Sequence, residues 1–366
     1  MASDVRQVAS ERSSHARRLC AALLIGALGA ISLPAQAEIK LATWNTLRLG
    51  QEPSKDYEAM AAVISMADLV ALQEVMDGAA VDHLEAMIEA RTGEPWSSML
   101  SHPLGRGRYK EQYGFLWRDS AVAYSEGAAV YLDPGDRFER EPFSAAFVDK
   151  QSSQPFVVAT AHILYGKSQL DRIPEIQALA GYWEWLQEIY QSHWPIFLVG
   201  DFNLPPSHAA WQPLRQTARP LITTGGTTLS SRDGKYASLY DNFLVGAGTA
   251  KTVNKAYVLD FPRMLKMTHL RARDTVSDHA PIFVHVDLHK LPGAAAAPFP
   301  ALTTTGHWEP PQAVSARGNS KSMIYHFPDC PSYNAISKRY RVEFKSGDAA
   351  EEAGYRLAGN CQTAVR

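Results

Sequence analysis

Five short blocks of this chain hold the residue types needed to hydrolyse a phosphodiester with a divalent cation. Each block lies at one end of an apolar run, and together the blocks supply carboxylates, carboxamides and two imidazoles. They are Thr43-Trp44-Asn45, Leu72-Gln73-Glu74-Val75, Thr160-Ala161-His162, Gly200-Asp201-Phe202-Asn203 and Ser277-Asp278-His279. The reaction needs an activated water, stabilisation of negative charge on phosphorus and release of the leaving oxygen. The blocks therefore predict one hydrolytic site assembled from distant segments.

The candidate ligands of the cation are Asn45, Glu74 and Asp278. Each lies at the end of a hydrophobic strand pattern, where a carboxylate is costly unless it is exposed at the sheet edge or bound to a cation. Hard oxygen ligands of this kind favour Mg²⁺ or Mn²⁺. A single strand-end acid can equally well cap a turn, so the prediction depends on all five blocks together.

Two histidines are the candidate proton-transfer groups. A lone strand-end histidine is more often structural, but His162 and His279 each have an acid available to orient the ring, which fits general acid and base roles. Asp201 and Asn203 are two residues apart and would face the same side of an extended chain. We expect Asp201 to orient the attacking water and Asn203 to donate to phosphate oxygens. Asp241 opens another strand and can orient His279.

These blocks must be positioned by strands. Runs of β-branched or aromatic residues, bounded by Gly, Asp or Pro, indicate strands at 39–45, 68–75, 113–118, 122–132, 154–162, 195–203, 241–246 and 279–288. Helical patterns cover 57–67, 81–90 and 170–191, the last with an apolar stripe of 3.6-residue period. This pattern predicts an α/β fold in which two mixed sheets pack face to face with helices outside.

Residues 1–37 are typical of a secretory signal peptide. Arginines precede a 15-residue apolar stretch, Leu19 to Leu33, which is too short for a comfortable membrane span. Ala35-Gln36-Ala37 is a cleavage motif, so the mature chain is expected to start at Glu38. We predict a secreted or periplasmic protein, with an uncleaved N-terminal anchor as the alternative.

The expected mature chain has no overall basic charge that would indicate nucleic-acid binding. Cleavage leaves 32 Lys and Arg against 36 Asp and Glu, a net charge of −4. Any binding of a nucleic acid must therefore come from a local site and its metal.

The five blocks in this order resemble the endonuclease/exonuclease/phosphatase superfamily and, within it, the secreted deoxyribonuclease I group. The narrower likeness depends on the stretches Pro103 to Tyr113, Phe115 to Arg118 and Phe138 to Pro142. It covers residues 38–288 and implies a four-layered α/β sandwich. It also implies Mg²⁺-dependent cleavage of DNA, which Ca²⁺ could assist. The mechanism expected from these residues would leave 5′-phosphate ends. We expect a monomer without stable membrane association.

The resemblance also assigns roles to three further residues. Glu111 would orient His162, while Tyr109 and Arg140 would contact phosphate and groove. From the residues alone, Tyr109 is a surface aromatic and Arg140 a solvated charge. The resemblance makes Asp241 the partner of His279.

Some positions depart from the group. Met76 and Leu47 stand where the group carries arginines, and Asp136 and Glu141 are the remaining candidates for a Ca²⁺ site. Two alternatives stay open. One keeps the chemistry but changes the substrate or context, as in a sphingomyelinase-like lipid phosphodiesterase or a toxin-like nuclease subunit. The other is a non-catalytic DNA-binding module, which the intact acids and histidines disfavour.

The C-terminal part has a different amino-acid composition. A Pro- and Ala-rich linker at 289–318 precedes a small α+β module at 319–366. Its motifs around Cys330 and Cys361 resemble an Ada-like module appended to some bacterial nucleases. In an exported protein the two cysteines are expected to form a disulfide. With His326 they would give only three of the four ligands of a structural zinc.

Overall fold

The computed structural model describes residues 38–190, 193–232, 234–291 and 316–328, together with 333, 336 and 338–358. The predicted signal peptide, most of the predicted linker and both cysteines lie outside the described residues. The chain divides into two compact units, 1–296 and 297–366. The predicted domain boundaries stay predictions. Among the described residues, no helix combines the length and apolarity needed to cross a membrane.

The first unit is built from strands and helices that alternate along most of its length. Its strands are β1 (Ile39–Leu49), β2 (Leu69–Val75), β3 (Trp96–Leu100), β4 (Gln112–Arg118), β5 (Val122–Val130), β6 (Phe143–Asp149), β7 (Gln154–His162), β8 (Ile196–Asp201), β9 (Ala218–Pro220), β10 (Asp241–Gly246), β11 (Val253–Val258) and β12 (Ile282–Val286). Its α-helices are α1 (Tyr57–Ile64), α2 (Gly78–Thr92), α3 (Gln169–Ile189), α4 (Gln212–Arg215), α5 (Ala247–Ala250), α6 (Phe261–Met264) and α7 (His269–Thr275). Two 3₁₀ turns cover Ala209–Trp211 and Leu288–Lys290.

The strands form two six-stranded mixed sheets of similar design. Their orders are β11-β12-β1-β2-β4-β3 and β5-β6-β7-β8-β10-β9. Each sheet has one parallel pair near its middle, β1 with β2 and β7 with β8, and its other pairs are antiparallel. The carboxyl ends of a parallel pair meet at one sheet edge, where an antiparallel neighbour begins. Residues from the ends of β1, β2, β7 and β8 and from the starts of β4 and β10 are therefore brought to corresponding edges.

The two sheets pack face to face, and helices cover their outer faces. Alternate strand residues such as Leu41, Phe115 and Phe197 fill the layer between the sheets. Their neighbours along the strands face α1 and α2 on one side and α3 on the other. Because both faces of the central strands are buried, these strands read as continuous apolar runs. The predicted α/β fold, two packed mixed sheets flanked by helices, is confirmed.

The second unit contains a four-stranded sheet in the order β15-β13-β14-β16. Its elements are β13 (Ala316–Asn319), β14 (Ile324–His326), a 3₁₀ turn (Lys338–Tyr340), β15 (Arg341–Phe344), α8 (Gly347–Glu352) and β16 (Arg356–Leu357). Ala316, Tyr325 and Ala350 form its buried core. Ser346 Oγ accepts a hydrogen bond from Ala349 N (3.0 Å) and caps the start of α8. The predicted small α+β module is thus present in outline.

Candidate active site

Strand ends deliver the predicted side chains to one cavity. His162 and Asp201 end β7 and β8 and are register partners, and Asp241 at the start of β10 is in register with Asp201. A cavity of about 470 Å³ is lined by Glu74, Tyr109, Arg140, His162, Asp201, Asn203, Asp278 and His279, among others. Segments separated by more than a hundred residues therefore meet, as the five blocks predict.

Gly200 shows why this meeting needs a glycine beside Asp201. Its backbone has φ +135°, and a Cβ there would lie 2.0 Å from the carbonyl oxygen of Ala161. Any other residue would separate β7 from β8 at the point where His162 and Asp201 are paired. The block Gly-Asp-Phe-Asn therefore combines a close strand contact with a carboxylate.

The first histidine is held by a buried ion-pair network. His162 Nδ1 lies 2.6 Å from Glu111 Oε1, and Arg140 Nε lies 3.1 Å from the same oxygen. Tyr109 donates its hydroxyl to Glu111 Oε2 at 3.2 Å. Burial is the largest single influence and opposes the charged imidazole, but Glu111 and Asp201 together raise the pKa of His162 above its ordinary value. Burial likewise disfavours the carboxylate, yet His162 and Arg140 lower the pKa of Glu111.

Arg140 is not the solvated charge that the residues alone suggest. Its side chain is 7% exposed and donates from Nε (3.2 Å) and Nη2 (3.1 Å) to the carbonyl oxygen of His162. It lines the cavity while it fixes both Glu111 and the backbone of His162. Tyr109 is 41% exposed and lies at the cavity surface, but its hydroxyl is held by Glu111.

The second histidine has a matching arrangement. His279 Nδ1 lies 2.8 Å from Asp241 Oδ2, and its Nε2 lies 3.6 Å from Asp201 Oδ2. Nε2 of His162 lies 3.5 Å from the same oxygen of Asp201. Although burial opposes protonation, Asp241 and Asp201 raise the pKa of His279 well above its ordinary value. Both imidazoles therefore present Nε2 to one carboxylate, with Nδ1 engaged by a separate acid.

The candidate cation ligands lie beside this carboxylate. Asn45 Nδ2 donates to Glu74 Oε1 (2.9 Å) and to Asp201 Oδ2 (3.1 Å), while Asn45 Oδ1 accepts from Leu47 N at 2.9 Å. Asp278 lines the same cavity with its side chain 28% exposed. A half-turn of the Asn45 amide would bring its oxygen to face the carboxylates. This set of oxygens fits a hard divalent cation.

A second group of ligand types also comes together here. In the described part of the chain, Asp201, Asp241 and His279 are the three acidic or histidine residues whose ligand atoms all lie within 4.8 Å of one another. Oδ1 of Asp241 is buried and has no hydrogen-bond partner. A cation at this point would satisfy that oxygen, so both groups are compatible with a metal in this cavity.

Asn203 reaches the cavity from a turn, whereas the sequence predicts an extended strand there. β8 ends at Asp201, and Asn203 lies in a turn with φ +52°, where the two-residue strand period no longer applies. Its Nδ2 donates to Ile163 O at 2.8 Å, which holds the amide at the cavity wall. Asp136, one of the two candidates for a Ca²⁺ site, forms an ion pair with Arg106 at 3.3 Å. The Ca²⁺ site stays a prediction.

Two basic residues at the site were missed from the sequence. Lys55 Nζ donates to Thr46 O (2.7 Å) and Val276 O (2.8 Å), and so connects the segments that carry Asn45 and Asp278. Arg172 on α3 is buried and donates to the carbonyl oxygens of residues flanking the site. Neither lies in a block of recognisable type, and Arg172 reads as the polar face of an amphipathic helix.

Gln73 links the two sheets under the site. Its Nε2 donates to Thr43 Oγ1 (3.0 Å) on the same sheet and to Thr160 Oγ1 (2.9 Å) on the facing sheet. These three buried polar residues each belong to one of the five blocks. The blocks therefore supply the contact that holds the two strand edges together, besides the residues that face the cavity.

Comparisons with known proteins agree with this geometry. The family model described as Endonuclease/Exonuclease/phosphatase family matches residues 42–279. A deoxyribonuclease of Thioalkalivibrio sp. is 44% identical over 270 residues, which are 72% of this chain and 75% of that protein. Deoxyribonuclease-1 of Gallus gallus is 28% identical over 70% of this chain and 94% of its own length.

Solved structures show the same fold. An endonuclease/exonuclease/phosphatase family protein from Bacteroides thetaiotaomicron superposes with a TM-score of 0.50 at 16% identity. The match covers 68% of this chain and 97% of that one.

Proposed function

The chain belongs to the endonuclease/exonuclease/phosphatase family, and on that basis we propose that it is a secreted, metal-dependent endonuclease that hydrolyses DNA and leaves 5′-phosphate ends. The resemblance predicted from the five blocks is confirmed at the level of the family. The deoxyribonucleases among its relatives support DNA as the substrate.

One observation carries the proposal. Two imidazoles, each bonded through Nδ1 to its own acid, direct Nε2 at Asp201 Oδ2 from distances of 3.5 and 3.6 Å. A hydrolytic displacement at phosphorus needs one group that accepts a proton from water and another that gives a proton to the leaving oxygen. Two proton carriers on either side of one carboxylate meet that need.

The residues perform the reaction as follows. Asp201 orients a water, and one histidine accepts a proton from it at Nε2 while the water oxygen bonds to phosphorus. The bond from phosphorus to the 3′ oxygen breaks, and the second, protonated histidine donates its Nε2 proton to that oxygen. Glu111 and Asp241 keep the rings oriented and stabilise their charged forms. The product strand then carries a 5′ phosphate.

A bound cation would neutralise the phosphate and the charge that develops on it. We propose Asn45, Glu74 and Asp278 as its ligands and Mg²⁺ or Mn²⁺ as the ion, since the donors are oxygens. Tyr109, Arg140 and Asn203 line the cavity and are the proposed substrate contacts.

Nicking of supercoiled plasmid tests the activity. The purified protein should convert it to the open circle with Mg²⁺ or Mn²⁺, and EDTA should stop the reaction. DNA ligase should reseal the nicks, because it requires a 5′ phosphate beside a 3′ hydroxyl. Absence of nicking with either ion would overturn the proposal, and turnover of sphingomyelin vesicles in its place would favour the lipid alternative.

Secretion is a separate part of the proposal and depends on residues 1–37. Expression of the full chain in a bacterium, followed by fractionation and N-terminal sequencing, should give an exported protein that begins at Glu38. Retention of the full-length chain in the membrane fraction would support the uncleaved anchor instead.

A further inference from the structure

We propose that Tyr165, backed by Arg172 and Tyr240, is a stacking platform for an unpaired nucleobase next to the scissile phosphate. This inference rests on the proposed function, in that the substrate is a nucleic acid. It adds a substrate preference: a strand with a free base at this position should be cut better than one without.

Arg172 is a buried cation held by neutral oxygens. Its side chain extends from α3, the residue is 4% exposed, and it forms no ion pair within the described residues. Nε donates to Tyr165 O (2.8 Å), and Nη1 donates to the hydroxyl of Tyr240 (3.2 Å) and to Asn203 O. Burying an unpaired charge is costly, so these bonds must fix the guanidinium in one place.

The fixed guanidinium supports the ring of Tyr165. Its central carbon lies 4.2 Å from the centroid of Tyr165 and 5.4 Å from that of Tyr240. The two rings meet at 66° with centroids 6.5 Å apart. Tyr165 nevertheless remains 58% exposed. Since the guanidinium covers one face of the ring, the exposed area lies on the other face and the edge.

The platform adjoins the reaction centre. Tyr165 follows His162 by three residues, and Tyr240 immediately precedes Asp241. Tyr165 and Tyr240 line the same cavity as His162, His279 and Asp201. A phosphate bound between the two histidines would therefore place a flanking nucleotide against Tyr165.

The chemistry of the platform suits a base. An aromatic face stacks on any nucleobase, which makes such contacts tolerant of sequence, and a cation behind the ring strengthens them. A base inside a duplex is already stacked and paired, so it can reach the platform only after leaving the helix. The platform should therefore favour single-stranded or locally opened DNA.

Oligothymidylates with one cleavable bond test this inference. In each probe the central phosphodiester is normal and the other links are neutral methylphosphonates. A tetrahydrofuran residue without a base replaces the nucleotide on the 5′ or the 3′ side of that bond. For the wild type, loss of the base on one side should lower kcat/KM about tenfold, the range typical of one stacked base.

Three variants separate stacking from structural effects. For Tyr165→Ala, kcat/KM on the intact probe should fall about tenfold, and removal of the base should no longer change it. Tyr165→Phe keeps the ring and should behave like the wild type. Leu170→Ala removes another exposed apolar side chain, 73% exposed, and serves as the matched control.

Binding of the same probes in EDTA, followed by fluorescence anisotropy, repeats the comparison without cleavage. Base-dependent binding that Tyr165→Ala abolishes would support the platform even if no strand were cut, and in that case the nuclease proposal alone would fail. The platform is wrong if Tyr165→Ala binds and cuts the intact probe like the wild type. It is also wrong if this variant weakens the intact and base-free probes equally.

Discussion

At the scale of single residues, Asp201 Oδ2 is where the reaction centre converges, because Nε2 of both His162 and His279 points to it. Each ring is held at Nδ1 by a different acid, Glu111 or Asp241. When Nδ1 donates its proton to an acid, Nε2 can accept a proton if the ring is neutral and can donate one if the ring is charged. The two rings can therefore take opposite roles in one displacement.

Removal of His162 should abolish most activity without unfolding the protein. A general acid or base contributes about 10²–10⁴ in rate, so kcat of His162→Ala in plasmid nicking should fall by that factor. His83→Ala, an exposed histidine on α2, is the matched control. If His162→Ala kept most activity with an unchanged circular dichroism spectrum, His162 would not transfer the proton.

A change at Asp241 should show which role His279 has. Asp241 raises the pKa of His279, so Asp241→Asn should lower it. If His279 is the base, the acidic limb of the kcat/KM profile moves to lower pH. If it is the acid, the alkaline limb moves to lower pH. A profile with both limbs unmoved would exclude His279 from proton transfer.

The sequence predicted most of the side chains that meet at the candidate site, but it did not predict how each is held. His162, Asp201 and His279 could be found because their polar blocks border apolar runs. The burial of Arg140 could not be predicted, because a charged residue in a loop gives no sign that Glu111 lies opposite. The turn at Asn203 was also hidden, since the strand pattern continues past Asp201 in sequence.

At the scale of elements, Lys55 joins two segments that carry candidate ligands. It binds Thr46 O at the end of β1 and Val276 O just after α7. Ser277 Oγ adds a bond to Asn45 O at 2.7 Å. Together these contacts determine the spacing between Asn45 and Asp278.

Lys55→Met should therefore impair catalysis through geometry. A misplacement of about 1 Å near the chemistry can cost about 10²-fold, so kcat/KM should fall markedly. The Mg²⁺ concentration that gives half-maximal rate should rise as well, because Asn45 and Asp278 are less well placed. Lys55→Arg retains the charge and is the comparison. An unchanged Mg²⁺ dependence in Lys55→Met would contradict this role.

The same lysine makes stability depend on pH. Burial lowers the pKa of Lys55 to about 8, against the attraction of Asp278. Between about pH 8 and its ordinary value of about 10.5, the unfolded chain binds the proton more readily, so stability rises with pH in this window. Urea unfolding in EDTA should show that the free energy of unfolding of the wild type increases relative to that of Lys55→Met from pH 7 to pH 10. A constant difference would contradict the shifted pKa.

Some elements were invisible in the sequence for physical reasons. β6 (Phe143–Asp149) is buried on both faces but contains small residues and follows a charged loop, so it lacks an alternating pattern. β11 (Val253–Val258) is an edge strand with polar residues. The longest helix was well predicted, since α3 has a full apolar stripe against its sheet.

At the scale of the whole molecule, the described reaction centre lies entirely in the first compact unit. A chain of residues 38–291 should therefore fold and cut a short oligonucleotide with the kcat/KM of the chain that starts at Glu38 and ends at Arg366. Thermal unfolding and single-stranded probe cleavage would test this. A large loss of activity by the shorter chain would mean that residues 292–366 contribute to catalysis.

Sequence composition predicted general properties of the whole molecule but not its detailed contacts. The net charge of −4 expected for a chain that starts at Glu38 predicts a local site in place of a generally basic surface. The structure places Arg140, Arg172 and Lys55 near the carboxylates of the candidate site. The pairing of Cys330 with Cys361 stays a prediction, since both lie outside the described residues.

Glu74 has a left-handed backbone, with φ +59°. A side chain there costs about 1–3 kcal/mol, which glycine would avoid. Selection for stability alone would therefore favour glycine at this position, and the proposed role of Glu74 as a cation ligand would account for the glutamate. Among related sequences, glutamate at this position would then mark proteins that retain the activity, and glycine would mark proteins that have lost it.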